Sequence, residues 1–240
     1  MNRELINEAI SLVKKLMQNN DPSHDWHHVD RVYKNACYIA QQESQLLNDI
    51  CLDMKVIELA ALFHDVVDFK YDHDKSNSLE EIAKERLNTF FDQYKSELTS
   101  QQIEKIIYII LNISWRKELE NKENQANVIH ELKIVRDADR LESIGAIGIA
   151  RLFAYSGSKR QSFYDDAVKP ELNITAEEYN RRTLNNEILP INYFQEKLLL
   201  IKKKLMTETG KRLAEDRHDF LMLFLNQFDK ECHLKNYLSD

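Results

Sequence analysis

The spacing of apolar residues along the chain follows the period of an α-helix. Through most of the 240 residues, apolar side chains recur every three or four positions, which is typical of helices with one buried face. The first such stripe comprises Leu5, Ile6, Ala9, Val13, Leu16 and Met17. The pattern therefore predicts an all-α protein.

Pro22 and two capping residues predict the first helix boundaries. Pro22 lies in the stretch NNDPS and ends the first helix, because proline lacks an amide hydrogen and clashes with a preceding helical turn. Ser23 is predicted to cap a second helix over about residues 24–43, since its hydroxyl can accept a hydrogen bond from a first-turn amide. Asp53 is predicted to cap a third helix over about residues 54–67.

Two capping boxes predict the start of a fourth and a fifth helix. In each, a hydroxyl residue is followed three positions later by a glutamate or glutamine, as in Ser78 with Glu81 and Thr99 with Gln102. The polar stretch 116–127 is predicted to be a surface loop. A long helical pattern resumes at Val128 and includes residues 134–153, although the helix need not be continuous around Asp139.

The remainder of the chain is predicted to contain one irregular segment and three further helices. Residues 156–174 show little periodicity and are interpreted as a loop or an insertion. Thr175, Pro190 and the stretch 207–210 then separate the three helices. Only 4 glycines and 3 prolines occur, which disfavours a sheet joined by tight turns. With no repeat or linker, residues 1–240 are interpreted as a single domain.

Charge and composition exclude some classes of protein. The net charge of −7 and the isoelectric point near 5.7 disfavour a general nucleic-acid binder, although local cations or a metal can still attract phosphate. The three cysteines show no zinc-binding spacing and are interpreted as reduced thiols. No signal peptide or membrane span is predicted, so we expect a cytoplasmic protein without a membrane partner.

Candidate chemistry begins with the dipeptide His64-Asp65 in the apolar segment ALFHDVVDF. An ionised aspartate inside such a segment is costly unless it is paired or bound to a metal. The structural alternative is a core histidine with satisfied hydrogen bonds, next to a carboxylate at a helix end. Three other His-Asp pairs are interpreted as a helix cap or pocket rim, a solvated loop and a structural pair: His24-Asp25, His73-Asp74 and His218-Asp219.

Two other segments supply further metal-binding side chains. His28 falls on the apolar face of the second helix, and Asp137 and Asp139 follow the apolar residues Ile134 and Val135. The two aspartates are two positions apart and so lie on different faces, and spacing alone leaves open which one points inward. Two histidines with carboxylates suit a divalent transition-metal ion such as Mn, Fe, Co, Ni or Zn, and are too rich in histidine for Ca or Mg.

The motifs HVDRV (28–32), LFHDVVD (62–68) and DADRLESIGAIGIAR (137–151) resemble those of the HD-domain phosphohydrolase superfamily. Over about residues 23–232 the chain looks like the small stand-alone bacterial HD hydrolases. The resemblance implies a helical domain with a metal core over about residues 24–151 and C-terminal helices over about 175–238. It also implies one divalent metal ion bound by His28, His64, Asp65 and Asp139, and thus selects Asp139 over Asp137.

The same resemblance implies a function. We expect metal-assisted hydrolysis of a nucleotide, most specifically of a deoxynucleoside triphosphate to a monophosphate and pyrophosphate. The alternatives are a nucleoside monophosphatase, a phosphodiesterase for a signalling nucleotide, and a nucleotide sensor with little catalysis. The sequence is also compatible with a homodimer. In one departure from the subfamily, Asn192-Tyr193 stands where a histidine is expected.

Other polar residues near these motifs are candidates for catalysis and substrate binding. Asp68 lies one turn after His64 and could deprotonate the attacking water, although a solvent-exposed position is equally compatible with its spacing. Phosphoryl transfer also requires cations around the phosphoryl oxygens. The predicted substrate-binding residues are Lys70, Arg31 and Arg140, and residues 116–117 could also reach the site.

Overall fold

The computed structural model describes residues 3–47, 51–67, 78–120 and 128–234. The described residues form helices and connecting segments without any strand, which confirms the prediction of an all-α fold. The helices are α1 (Arg3–Leu16), α2 (Trp26–Leu46), α3 (Met54–Phe63), α4 (Leu79–Gln93), α5 (Ser100–Asn112), α6 (Trp115–Glu120), α7 (His130–Leu141), α8 (Gly145–Ser158), α9 (Ala176–Leu184), α10 (Pro190–Tyr193), α11 (Leu199–Ile201) and α12 (Glu208–His233). Between α10 and α11 lies a π-helical turn, Phe194–Leu198. Across the described ranges, no helix combines the length and apolar character needed to cross a bilayer.

Most of the predicted helix starts are correct. Asp53, Ser78 and Thr99 each accept a hydrogen bond from a first-turn amide, and the last two form complete capping boxes. Thr175 and Thr207 cap α9 and α12 in the same way. Each of these caps binds an amide only three residues away, so local sequence is sufficient to identify it.

The prediction that Ser23 caps the second helix is wrong. Asp25 is the cap, and its carboxylate accepts a hydrogen bond of 3.0 Å from the amide of His28. The Ser23 hydroxyl is instead buried and lies within hydrogen-bond distance of the Asp21 carboxylate and the His24 ring. Ser23 is occupied by these neighbours, so the next suitable residue along the chain supplies the cap.

The loop predicted over residues 116–127 is also partly wrong, because α6 extends to Glu120. The side chain of Trp115 is buried at the start of α6, and the hydroxyl of Ser114 accepts a hydrogen bond from the amide of Lys117. A buried aromatic anchor and a local cap therefore hold a short helix in a polar sequence. Residues 121–127 lie outside the described residues.

The helical pattern that resumes at Val128 divides into α7 and α8. Gly145, the first residue of α8, has a φ of 75°, which side chains other than glycine rarely adopt. A Cβ atom at Gly148 would lie 2.3 Å from the carbonyl oxygen of Ser143. The two glycines thus allow a sharp turn between α7 and α8, and this turn places Glu142 and Ser143 beside the candidate site described below.

The core is organised around α3. Every residue from Val56 to Phe63 in this helix is buried, and the helix packs against α1, α2, α5 and α7. Helix α12 packs across α2, α7 and α8. Because α2, α3 and α7 also contact one another in pairs, side chains at neighbouring ends of these three helices are held close together.

Asp137 attaches the start of α12 to α7. Its buried carboxylate accepts hydrogen bonds from the amides of Met206 and Thr207, at 3.0 Å and 2.7 Å, and from the Thr207 hydroxyl. Burial raises the pKa of Asp137 to about 6, and these hydrogen bonds partly oppose the rise. Asp137 therefore has a structural contact that the sequence did not reveal.

We expect Asp137→Ala to reduce the free energy of unfolding by about 2–4 kcal/mol, because the buried amide of Thr207 and the partly buried amide of Met206 lose their acceptor. The measurement is urea denaturation followed by circular dichroism. Asp219→Ala is the matched control, since Asp219 lies exposed within α12 and its loss should change stability by no more than about 0.5 kcal/mol. Equal stability of the two variants would contradict this role for Asp137.

Candidate active site

Four of the residues predicted from sequence are brought together where α2, α3 and α7 meet. His28 lies in the first turn of α2, and His64 and Asp65 directly follow the last residue of α3. Asp139 lies in the last turn of α7. The packing of these three helices brings the four side chains close together, and we call this group of residues the His/Asp centre.

The distances within the His/Asp centre are short. The Nε2 atoms of His28 and His64 are 3.2 Å apart, and Oδ2 of Asp65 lies 3.4 Å from each of them. Oδ1 of Asp139 lies 3.7 Å from Nε2 of His28 and 3.9 Å from that of His64. His28, His64 and Asp65 therefore form a tight group, and Asp139 lies beside both of its ring nitrogens.

This set of side chains fits a divalent transition-metal ion. His28 and His64 are almost completely buried, and Asp65 and Asp139 are each 18% exposed. Within the described part of the chain, the buried Oδ2 of Asp65 accepts no hydrogen bond. A buried carboxylate is costly unless positive charge lies beside it, and a cation among these nitrogen and oxygen atoms would supply that charge.

The two carboxylates also alter the protonation of His64. Burial alone would lower the pKa of the His64 ring, but the charges of Asp65 and Asp139 outweigh it and raise the pKa to about 9. Burial would likewise raise the pKa of Asp65, yet the adjacent histidines hold it well below its usual range. The centre therefore attracts positive charge, and protons compete with a metal for it.

A carbonyl and a carboxylate lie behind the two rings of the centre, and a hydrogen bond to the carbonyl orients the ring of His64. Nδ1 of His64 donates to the carbonyl of Ala61 at 2.8 Å, which directs Nε2 towards the other three side chains. Nδ1 of His28 lies 3.8 Å from Oε2 of Glu142, and the same oxygen accepts a 2.6 Å hydrogen bond from Nε of Arg31. Burial opposes ionisation of Glu142, but the adjacent His28 ring and the hydrogen bond from Arg31 lower its pKa to about 2.

Glu142 was not predicted from the sequence. It follows Asp139 by three positions, but it acts across the fold on side chains of α2, and its spacing alone does not indicate that contact. Arg31 was predicted to bind substrate, and the structure places its guanidinium on Glu142 rather than among the side chains lining the cavity described next. Direct phosphate binding by Arg31 stays a prediction.

A cavity, here called the first cavity, opens at the His/Asp centre. Beyond the four central side chains, its walls include Trp115, Arg116, Arg140, Tyr179 and Lys197. The guanidinium of Arg140 is buried, lies 5.3 Å from the centre of the Trp115 ring and donates to Asp139 at 3.2 Å. Arg140 thus lines the first cavity, and its role in substrate binding stays a prediction.

A second cavity adjoins the first. Its walls combine apolar and aromatic side chains, including Leu152, Tyr155, Tyr179, Ile188, Tyr193 and Lys197. The two cavities share a boundary of His24, Ser143, Arg151, Tyr179 and Lys197. Tyr193, which replaces the histidine expected from the subfamily, lies in this second cavity with its hydroxyl 3.1 Å from that of Tyr179.

The remaining predicted residues have different outcomes. Asp68, Lys70 and the pair His73-Asp74 lie outside the described residues. Asp25 caps α2 as predicted for the His24-Asp25 pair, while His24 lines both cavities. The ring of His24 lies 6.0 Å from that of His28.

Comparisons with known proteins agree with this geometry. The sequence model of the HD domain matches residues 25–144, which contain all four side chains of the His/Asp centre. The chain is 32% identical over 219 residues to the Bacillus subtilis protein YpgQ, covering 91% of this chain and 89% of YpgQ.

Solved structures show the same fold over nearly the whole chain. A Lactobacillus plantarum protein has a TM-score of 0.79 and 26% identity, covering 98% of this chain and 99% of its own. YpgQ in complex with ADP has a TM-score of 0.67 and 27% identity, covering 95% of each chain.

An HD-superfamily hydrolase of Bacillus thuringiensis has a TM-score of 0.65 and 31% identity, covering 96% of this chain and 98% of its own. The similarity thus extends beyond the matched HD domain to the C-terminal helices. Taken with the helical fold and the clustered histidines and aspartates, it shows that this chain belongs to the HD-domain superfamily of metal-dependent phosphohydrolases.

Proposed function

We propose that this protein hydrolyses nucleotides, with one divalent transition-metal ion bound by His28, His64, Asp65 and Asp139. The main support is the His/Asp centre, where two Nε2 atoms 3.2 Å apart face a buried carboxylate oxygen that accepts no hydrogen bond from the described residues. The complex of YpgQ with ADP supports a nucleotide as the ligand. The most specific form of the proposal is conversion of a deoxynucleoside triphosphate to a monophosphate and pyrophosphate.

The side chains around the centre have separate parts in this proposal. A divalent cation bound there would supply a water of lowered pKa and a Lewis acid for a phosphoryl oxygen. The carbonyl of Ala61 and the carboxylate of Glu142 orient the two histidine rings. Asp68, four residues after His64 in the sequence, is the proposed acceptor for the proton of the attacking water, although α3 ends at Phe63 and not at about residue 67 as the sequence predicted.

Three cations are proposed to hold the phosphoryl oxygens. Arg140 is the best placed, because it lines the first cavity and donates to Asp139 within the centre. Lys70 and Arg31 are proposed from their positions in the sequence. Positive charge near the non-bridging oxygens stabilises the transition state of phosphoryl transfer, which an acidic protein can provide only through local clusters.

The most direct test is a panel of nucleotides incubated with Mn²⁺, Co²⁺ or Ni²⁺, with phosphate and pyrophosphate measured separately. We expect deoxynucleoside triphosphates to yield monophosphate and pyrophosphate. Release of phosphate from monophosphates alone, or cleavage of a phosphodiester alone, would replace the specific proposal with another hydrolase activity. Binding of nucleotides without release of either product would indicate a sensor.

Two matched variants control this assay. His64→Ala should abolish turnover, whereas His218→Ala, the same change in the His-Asp pair on α12, should leave it unchanged. Asp68→Asn should lower kcat by about a hundredfold, the scale of general-base catalysis. Full turnover by Asp68→Asn would assign the proton to another acceptor.

Metal affinity should increase with pH. With a pKa of about 9, His64 is protonated in the metal-free protein at neutral pH and must lose that proton to bind a metal. The dissociation constant should therefore fall roughly tenfold per pH unit between about 6.5 and 9, the limit for one displaced proton. The free energy of unfolding of the metal-free protein should instead decrease as the pH rises. The favourable contribution of protonated His64 is fully present below about pH 6.5 and is lost as the pH rises through 9.

Titration calorimetry with Mn²⁺ in buffers of different ionisation enthalpy measures both the affinity and the number of protons released. Equal affinity at pH 7 and pH 9, with no proton release, would contradict a role for protonated His64 in this competition.

Glu142→Gln should weaken metal binding about 10–100-fold, because the group behind His28 loses its charge. Glu58→Gln is the matched control, since Glu58 is a buried glutamate of α3 that lies near Cys37 rather than the centre. We expect its metal affinity to stay within about twofold of the wild-type value. Metal affinity is measured by calorimetry. An equal loss of affinity in the two variants would indicate that Glu142 has only a general structural role.

A further inference from the structure

A third cavity, with a volume of about 400 Å³, shares no wall residue with the first two. Helix α2 contributes Arg31 and Lys34 to its walls, the turn between α7 and α8 contributes Glu142, and α12 contributes Arg217. Among the described residues, the walls of this cavity thus contain three cations and one carboxylate. Two positive charges remain after the carboxylate is counted, which is notable in a protein with a net charge of −7.

Arg217 is held in position against the turn between α7 and α8. Its Cγ lies 3.0 Å from the place where a side chain at Gly145 would begin, so the stem of Arg217 packs against a glycine. Its guanidinium donates to the carbonyl of Leu141, the one hydrogen bond that Arg217 makes to a described residue. Burial lowers the pKa of Arg217, and the charge of Glu142 opposes this. A partly buried cation without a hydrogen-bonded carboxylate is stabilised by an anion.

Lys34 is a mobile cation at the edge of the third cavity. Its side chain is 68% exposed, and its ammonium lies 2.6 Å from the carboxylate of Asp30, one turn earlier in α2. Ion pairs of this kind on an exposed helix surface are weak, because water and salt screen them. An anion inside the cavity would therefore compete effectively with Asp30 for Lys34.

The third cavity is connected to the His/Asp centre through two side chains. Arg31 lines the cavity and donates to Oε2 of Glu142 at 2.6 Å, and the same oxygen lies 3.8 Å from Nδ1 of His28. An anion in the cavity would offer Arg31 a second acceptor and add negative charge beside Glu142. Both changes make the surroundings of His28 more negative and so strengthen the attraction of the centre for a cation.

The wall chemistry indicates the class of anion. Planar guanidinium groups bind phosphate oxygens through paired N–H donors, and an ammonium adds a point charge. Two uncompensated positive charges are balanced by a dianion. The walls also include Ile144 and Ile147, and the volume exceeds that of a phosphate ion, so an organic group attached to the phosphate has room.

We propose that the third cavity binds a phosphate dianion, free or carried by a small organic molecule, through Arg217 and Lys34, and that its binding raises the metal affinity of the His/Asp centre. The second part rests on the proposed function, because it assumes a metal ion bound by the centre. The binding of the anion itself does not. The third cavity is thus a regulatory site, separate from the cavity proposed to hold the substrate.

The first test titrates sulfate into metal-free, ¹⁵N-labelled protein at constant ionic strength and follows the arginine Nε–H signals by NMR. Sulfate is a tetrahedral dianion that the protein cannot hydrolyse. The Arg217 signal should shift to a saturating value. Arg212, which is exposed on the same helix and does not line the cavity, is the matched control, and its signal should stay in place. Equal, non-saturating shifts of the two signals, or no shift of either, would overturn the site.

Variants are compared through the backbone amide signal of residue 146. Arg217→Gln should weaken sulfate binding about 10–100-fold, because a charged donor is lost, whereas Arg212→Gln should change it by less than about twofold. Ala146→Asp is a second variant that does not disturb the contact of Arg217 with Leu141. Ala146 is exposed in the first turn of α8, where an aspartate is favourable, and its carboxylate would enter the cavity wall. Undiminished sulfate binding by Ala146→Asp would contradict the proposal.

Two further probes, inorganic phosphate and phenyl phosphate in the presence of EDTA, distinguish the sources of the dianion. Tighter binding of phenyl phosphate, with the gain lost in Ile147→Ser, supports an organic phosphate as the ligand. Equal affinity for the two probes supports the free anion. Binding of neither probe at the Arg217 signal would overturn the assignment to phosphate.

The coupling is measured by calorimetry with Mn²⁺, with and without saturating sulfate and with chloride used to equalise ionic strength. The dissociation constant for Mn²⁺ should fall about five- to tenfold with sulfate in the wild-type protein, and it should not change in Arg217→Gln. By reciprocity, Mn²⁺ should strengthen sulfate binding by the same factor. An unchanged or weakened affinity for Mn²⁺ in the wild-type protein would overturn the coupling.

These measurements separate this inference from the proposed function. If sulfate saturates the Arg217 signal but the protein binds no Mn²⁺ and hydrolyses no nucleotide, the proposed function fails and the anion site remains. If nucleotides are hydrolysed with Mn²⁺ but sulfate produces no saturating shift at Arg217, this inference fails and the proposed function remains.

Discussion

The rest of the site depends on one electrostatic constraint, the convergence of two imidazoles and two carboxylates on one point in a nearly buried space. Such a cluster requires a rigid frame, because its members would otherwise separate and become hydrated. Helix α3 provides that frame, since it is buried on all sides and its last turn supplies the Ala61 carbonyl that fixes His64. Glu142, itself held by Arg31, has the corresponding position behind His28. The geometry of the His/Asp centre therefore depends on the burial of α3.

Asp137 and Asp139 show how one helix supports both stability and chemistry. Both carboxylates belong to α7 and are two positions apart, so they point in different directions. Asp137 is fully buried and accepts hydrogen bonds from the amides at the start of α12, whereas Asp139 faces His28 and His64. The first contact attaches the C-terminal helix to the core, and α12 in turn packs on α8, whose residues line both cavities.

The sequence could predict features that depend on near neighbours. Helix caps such as Asp53 and Ser78 bind amides three residues away, and the apolar stripes identify the faces that pack together. Features that depend on tertiary contacts could not be found in this way. Spacing left open whether Asp137 or Asp139 points to the centre, and no local pattern indicates that Glu142 reaches His28 or that Lys197 lies between two cavities. The short helix α6 was missed for the same reason, because the burial of Trp115 outweighs a polar local sequence.

The protein has a net charge of −7, whereas the substrate of a phosphohydrolase is also negatively charged. The cations around the first cavity provide local positive charge that opposes this repulsion. Arg140, Arg116 and Lys197 come from three separate elements and line one cavity, while many acidic residues lie elsewhere on the surface. A low-dielectric wall of aromatic rings strengthens the attraction between a buried cation and an anion. We therefore expect phosphate to be bound by the cations of this cavity, whatever the net charge of the whole protein.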